Sequence, residues 1–228
     1  MELIGSSAQI NFFVTNSLLA TDSSSIIKLM PLIQEDYMPS YGEEINDDGS
    51  KSKVVRLEKQ IDSRVFSITF ASKSLIVQID SAKQAISKEC FNEIEKIYFI
   101  LLKVFSGISP KANRLSVVIN DGYKYQPEVE SKLLSSYFST KEKPFEWNLK
   151  QAFKSEFLGE SIFHIVALNR GVALANIHGN VTRADTILFT IDNNTNPENS
   201  DFRYTLDNTE FLKALFMKSL SDIDAFLE

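Results

Sequence analysis

The chain has 228 residues, 43% hydrophobic and 24% charged, with a formal net charge of −6. That balance excludes a disordered or fibrous protein and supplies a sizeable core for one large domain or two packed halves. The acidic excess weighs against a general binder of nucleic-acid backbones, and the single cysteine, Cys90, excludes an intrachain disulfide.

Near the start, Met1-Glu2-Leu3-Ile4-Gly5-Ser6 has neither a basic segment nor a long apolar one, so no secretion signal is expected. Ile10, Phe12 and Val14 alternate with polar neighbours and predict a strand. Ser23-Ser24-Ser25 offers helix caps before Ile26, Ile27, Leu29, Met30 and Ile33, with Pro31 blurring the helix start. From Pro39 to Lys53 the chain is polar and acidic, which predicts a long mobile loop.

Three strands are predicted next, over Val54–Lys59, Arg64–Ala71 and Ser74–Asp80, the last two joined as a hairpin through Ser72-Lys73. Phe91, Ile94, Ile97 or Tyr98, Leu101 and Phe105 recur every three or four residues and predict a helix over Ser87–Ser106. Gly107 and Pro110 stop it. Its apolar run Ile97–Leu102 is the longest in the chain, far short of the roughly 20 residues that span a membrane.

Leu115, Val117 and Ile119 predict a strand closed by a turn at Asp121-Gly122, and Pro127 opens a helix running through Val129, Leu133, Leu134 and Phe138. Phe145, Trp147 and Leu149 alternate as a strand. Ser161–Leu168 and Val172–Ile177 read as a hairpin around Asn169-Arg170-Gly171, and Thr186–Asp192 as a further strand. The last helix starts near Asp207, with Glu210 three residues on and Phe211, Leu212, Leu215, Phe216, Leu220 and Ile223 on its stripe.

These elements predict an α+β fold, an antiparallel sheet with helices on one face. The order strand, helix, three or four strands, long helix occurs twice, in residues 1–112 and 113–228. An internal duplication into two halves packed as one globular unit is therefore expected, alongside the alternative of one α+β domain with no repeat. Ser74-Leu75-Ile76-Val77-Gln78-Ile79-Asp80 echoes Thr186-Ile187-Leu188-Phe189-Thr190-Ile191-Asp192, each ahead of a long helix. The doubled order resembles the saddle of the TATA-binding-protein-like folds, which implies an open sheet face. Residues 64–125, through Leu75–Asp80 and Asn113-Arg114-Leu115-Ser116-Val117-Val118-Ile119-Asn120, also resemble a sporadically distributed prokaryotic family of uncharacterised proteins. That resemblance carries no activity, cofactor or site residues.

Chemistry-bearing residues are sparse. His164 alternates with Ile162 and Val166 and reads as a structural histidine; His178 stands in a turn, and no pattern positions a base partner for either. Two histidines and one cysteine exclude a structural zinc centre of the usual type. Cys90, near a helix start and beside Phe91, reads as a small buried apolar residue. Asp121-Gly122 is a fragment of a calcium loop without its remaining ligands. Glu43, Glu44, Asp47 and Asp48 read as solvated loop charges. Catalytic, cofactor and metal sites are accordingly not predicted.

The richest polar stretch runs from Asn169 to Asp185, where Arg170, Asn176, His178 and Arg183 are candidate binding residues at strand ends. The expectation is a non-enzymatic cytoplasmic interaction protein with a cationic protein partner and no membrane association. It is of the kind that neutralises a toxin or serves in prokaryotic conflict and defence, as an immunity protein does. The alternative is a nucleic-acid or nucleotide-binding module, which would be marked by basic residues clustered on the open sheet face.

Overall fold

The computed structural model describes the chain except Asp47, residues 138–143, Phe145, His178, Gly179 and Glu228; for residues 173–177, 180–183, 226 and 227 it describes the backbone alone. The first half runs β1 (Leu3–Phe13), α1 (Ser23–Lys28), α2 (Met30–Ile33), β2 (Met38–Ile45), β3 (Lys51–Ile61), β4 (Arg64–Phe70), β5 (Ser74–Ala82) and α3 (Cys90–Val104). Short β6 (Lys111–Ala112) ends that half, and the second runs β7 (Arg114–Lys124), α4 (Pro127–Tyr137), β8 (Asn148–Phe157), β9 (Glu160–Ile177), β10 (Asn180–Thr195), β11 (Tyr204–Thr205) and α5 (Thr209–Leu227).

Nine strands form one sheet in the order β2-β3-β4-β5-β1-β7-β10-β9-β8, every neighbour antiparallel, and β6 with β11 forms a small second sheet. The fold is therefore mixed α and β around a large antiparallel sheet. Strands β2 to β5 and β1 lie on one side of the centre, and β7 to β10 on the other. The two groups meet where β1 pairs with β7, from Ser6↔Asp121 to Phe13↔Arg114.

Alternation divides the sheet into two faces. Ala8, Ile10 and Phe12 of β1, Leu75, Val77 and Ile79 of β5, and Leu115, Val117 and Ile119 of β7 are all buried and register together. The described helices lie over these rows. Phe105 at the end of α3 packs on Phe70, their ring centroids 6.0 Å apart, and Phe91 of α3 meets Phe216 of α5 at 5.5 Å. Phe91, Ile94, Ile97, Tyr98 and Leu101 make the buried stripe of α3 that the spacing predicts.

Several boundaries differ from the sequence reading. Asp22, not the serines, caps α1, its carboxylate accepting from Ser25 N–H at 2.8 Å. The expected mobile loop over Pro39–Lys53 is instead the β2–β3 hairpin, paired from Met38↔Glu58 to Ile45↔Lys51, with Asn46 N–H donating to Ser50 C=O at 2.8 Å beyond the last pair. An outer strand exposed along most of its length does not need the alternating apolar pattern that marks a core strand, so composition hides it. Asp121-Gly122 does not turn: β7 continues through it to Lys124.

Asn169-Arg170-Gly171 is no turn either. β9 passes through all three in register with Asn148 of β8 and with Leu188, Ile187 and Thr186 of β10. Of the glycines with positive φ, one is Gly159, at 79°, and it follows Leu158 at 51°. These two residues close the β8–β9 hairpin between Phe157 and Glu160, the left-handed pair that a tight hairpin requires. A leucine in a left-handed turn gives no compositional signal. Phe138 and Phe145, expected in a helix and a strand, lie outside the described residues.

The relocated turn is testable. Gly159→Ala is expected to destabilise the protein by about 1–2 kcal/mol through backbone strain alone, since open space surrounds the new methyl. Gly171→Ala, in extended backbone with only an ordinary contact at 3.6 Å, is expected to change stability by less than about 0.5 kcal/mol. Urea denaturation of both variants checks the contrast; a larger loss at Gly171 would return the turn to that position.

Candidate functional site

The candidate binding residues fall in one long hairpin. The β9–β10 ladder extends to Asn180↔Ile177, whereas β7 stops pairing with β10 at Lys124↔Thr186 and β8 stops pairing with β9 at Asn148↔Asn169. The end of the hairpin thus projects past both neighbours as a two-stranded ribbon. Asn176 and Arg183 sit on this ribbon, opposite Val181 and Leu174 respectively. His178 lies outside the described residues, as does Asp47 of the acidic cluster.

Arg170, at the root of the ribbon, turns inward. Its Nη1 donates to Glu130 Oε1 at 3.0 Å, and its guanidinium lies 4.3 Å from the centroid of the Tyr125 ring. Glu130 of α4 is fully buried and also accepts from Trp147 Nε1 at 3.0 Å and from the Tyr125 hydroxyl at 2.8 Å. A buried carboxylate needs this number of donors and a paired charge. The pair fastens α4 to the sheet, a role that neither residue's sequence context signals, because they are 40 positions apart.

His164 is likewise tied. Its Nδ1 lies 2.8 Å from Asn193 Oδ1 and 3.5 Å from Asp222 of α5, while Asn193 Nδ2 donates to Ser219 at 2.9 Å and to Asp222 at 2.8 Å. Phe153 stacks against the ring. Ser219 donates in turn to Leu215 C=O, which leaves its hydroxyl engaged within the helix. Cys90 is buried. Among the described residues, no group of His, Cys, Asp and Glu could hold a metal ion.

No protein-family model matches the chain, and no curated protein matches it. Two surfaces then stand out on geometry alone.

One is the sheet face opposite the helices. Its polar side chains bond one another, with Phe13, Ile76, Val118, Phe163, Ile165 and Leu188 among them: Gln9 donates to Asn11, Asn11 to Ser116, Thr190 to Asn120, Asn194 to Asp192, and Gln78 to both oxygens of Asp80. Both charge signs are interspersed. Asp80 and Asp192 occupy the central strands, with Arg114 and Lys124 at opposite ends of β7, and Arg56, Glu58, Lys150, Lys154 and Glu156 lie toward the edges. Burial holds the Asp192 carboxyl above its ordinary range, with Asn194, Arg114 and Lys150 opposing.

The other is a cleft of 460 Å³ between the segment that enters α3 and the last turns of α5. Its floor includes Ile119 and Asp121. Asp121 is 3% exposed and accepts from the Ser6 hydroxyl at 2.5 Å and the Tyr123 hydroxyl at 3.2 Å. Ser6 also receives Ile86 N–H at 3.1 Å, which pins the covering segment to the sheet. Burial raises the Asp121 carboxyl above its ordinary range; the two hydroxyls oppose this and the nearby Asp224 carboxylate adds to it. Sequence reading took Asp121 for a turn residue because Gly122 follows it. The usable signal is the alternation Leu115, Val117, Ile119, Asp121, which puts a carboxyl where the next core residue belongs.

Two outcomes follow. Arg170→Leu is expected to destabilise the protein by about 3–5 kcal/mol, the usual result of stranding a buried carboxylate, measured by urea denaturation. Asp121 has a folded pKa raised above its unfolded value, so its ionisation opposes folding as pH rises through that window. The stability of Asp121→Asn relative to the parent is therefore expected to increase from acidic to neutral pH. A flat difference across that range would contradict the burial effect.

Proposed function

We propose that the protein is a non-enzymatic, cytoplasmic interaction module that binds a cationic protein partner, in the manner of a toxin-neutralising immunity component of prokaryotic conflict or defence systems. The observation that carries this reading is the broad sheet face on which no described helix packs. It carries both charge signs, with Asp80 and Asp192 on the strands flanking the β1–β7 pair and Arg114 and Lys124 at the two ends of β7. Such interspersed charge suits a protein surface and lacks the continuous basic cluster that a phosphate backbone would favour.

Three further features support the reading. Of the groups that could perform chemistry, His164 is bonded to Asn193, the Ser219 hydroxyl donates to Leu215 C=O, and the Cys90 thiol is buried. The net charge of −6 steers a cationic partner toward the surface. No helix of the described residues is long and apolar enough to cross a membrane. The matched element order of residues 1–112 and 113–228, and the arrangement of each group of strands on its own side of the β1–β7 pair, support an origin by duplication.

The outer strands add a route for recognition. β2 exposes Met38, Tyr41 and Ile45, and β8 is exposed along most of its length, so both edges offer backbone groups to an incoming strand. The pure protein is expected to bind neither DNA nor RNA, duplex or single-stranded, more tightly than about 1 μM near physiological salt. A cationic protein recovered from the native host is expected to bind with an affinity that falls as salt rises, through a slower association rate. Submicromolar nucleic-acid binding lost in Arg183→Glu, with the fold retained, would overturn the reading in favour of a nucleic-acid-binding module.

A further inference from the structure

The cleft above Asp121 combines features that one ligand chemistry satisfies. Its walls include Ile86, Met217, Leu220 and Ile223, while Asp121 lies in its floor and Asp224 on its α5 side. Ser81 pairs with Ser6 across β1 and β5, so it projects from the same sheet face, in the same row as Asp121. Ser81 is 6% exposed, and its hydroxyl has no hydrogen-bond partner. A row of three polar side chains, Ser81, Ser6 and Asp121, thus interrupts the otherwise apolar helix-facing rows of β5, β1 and β7.

For stability alone, an apolar residue would serve better at position 121, since a buried carboxyl held by two neutral hydroxyls is a poor substitute for packing. We infer that this cleft receives the side chain of an arginine or lysine presented by the protein partner. The aliphatic stem lies along the apolar walls and the cationic head bonds Asp121, with Asp224 flanking it. Long basic side chains carry this division between an apolar stem and a charged tip. The inference rests on the protein-partner reading and gives that partner a specific anchor.

Charge at the cleft favours this occupant despite one opposing group. Lys88 lines the rim, but Glu89 stands beside it and Asp224 faces it from α5, so carboxylates outnumber the cation among the lining residues. Tyr123 contributes a neutral hydroxyl to Asp121. Arrival of a cation ionises the buried carboxyl, so affinity falls toward acidic pH, where Asp121 holds its proton.

The test uses arginine capped at both ends, its neutral counterpart citrulline capped in the same way, and spermidine. Methyl resonances of Ile86, Ile119, Met217 and Leu220 report occupancy. Capped arginine is expected to shift them saturably, and capped citrulline is not. Affinity is expected to fall by about tenfold or more in Asp121→Asn. Asp224→Lys, at an exposed position that folding tolerates, is expected to do the same and guards against loss of fold in the first variant. No shift with arginine, equal binding of citrulline, or unchanged affinity in both variants would overturn the inference. Tighter binding of spermidine would assign the cleft to free polyamines instead of a partner. If a host partner binds both variants as tightly as the parent, the cleft inference fails and the partner reading stands. If capped arginine behaves as expected and no host protein binds, the reverse holds.

Discussion

The pairing of β1 with β7 is the constraint on which the rest of the structure depends. Without it the chain divides into two smaller sheets, each with an open inner edge and a share of the helix layer. With it, Ile10 faces Val117, Phe12 faces Leu115 and Ala8 faces Ile119, so the apolar rows run unbroken across the centre. The helices α3 and α5 come from different halves and meet above this seam, where Phe91 packs on Phe216. A slip of one residue would turn every one of these side chains to the opposite face, so the register is enforced by burial along the whole strand.

The same alternation creates the two surfaces of interest. On the helix side of β5, β1 and β7, period-two patterning runs apolar until it reaches Ser81, Ser6 and Asp121, and the cleft begins where the pattern breaks. On the far side, short amide and hydroxyl side chains lie flat and bond one another. That explains how Asn11 and Ser116 are buried beneath no described helix. A polar face that is satisfied internally gives up little hydration when another protein covers it, because its groups already have partners.

What was legible in the sequence follows from how local each signal is. The α3 stripe, the β4–β5 hairpin and the apolar alternation of β7 are carried by residues within a few positions, and each appears in the structure. The β2–β3 hairpin was not legible, since Glu43, Glu44, Asp48 and Gly49 outweigh the few apolar residues of an exposed edge. Leu158 concealed the β8–β9 turn, while Gly171, an ordinary extended residue, drew attention to a turn that does not exist. Of the candidate binding residues, Arg170 belongs to a pair whose members lie far apart in the chain, and Asn176 and Arg183 extend along a ribbon rather than around a loop. Asp121 carried the right alternation, but the adjoining glycine invited a different reading.

The position of β1 also has a consequence during synthesis. Its two edges are covered at widely separated times, because β5 and then β7 must emerge before both are paired. A ribosome that has released only the first half presents a five-stranded sheet whose innermost strand is bare along Ile10 and Phe12. That edge is flanked by apolar rows awaiting α5, and it is the part of the nascent chain most exposed to wrong pairing. The delay between translating residue 13 and residue 114 is therefore a window in which a chaperone, or a neighbouring nascent copy, competes with the protein's own second half.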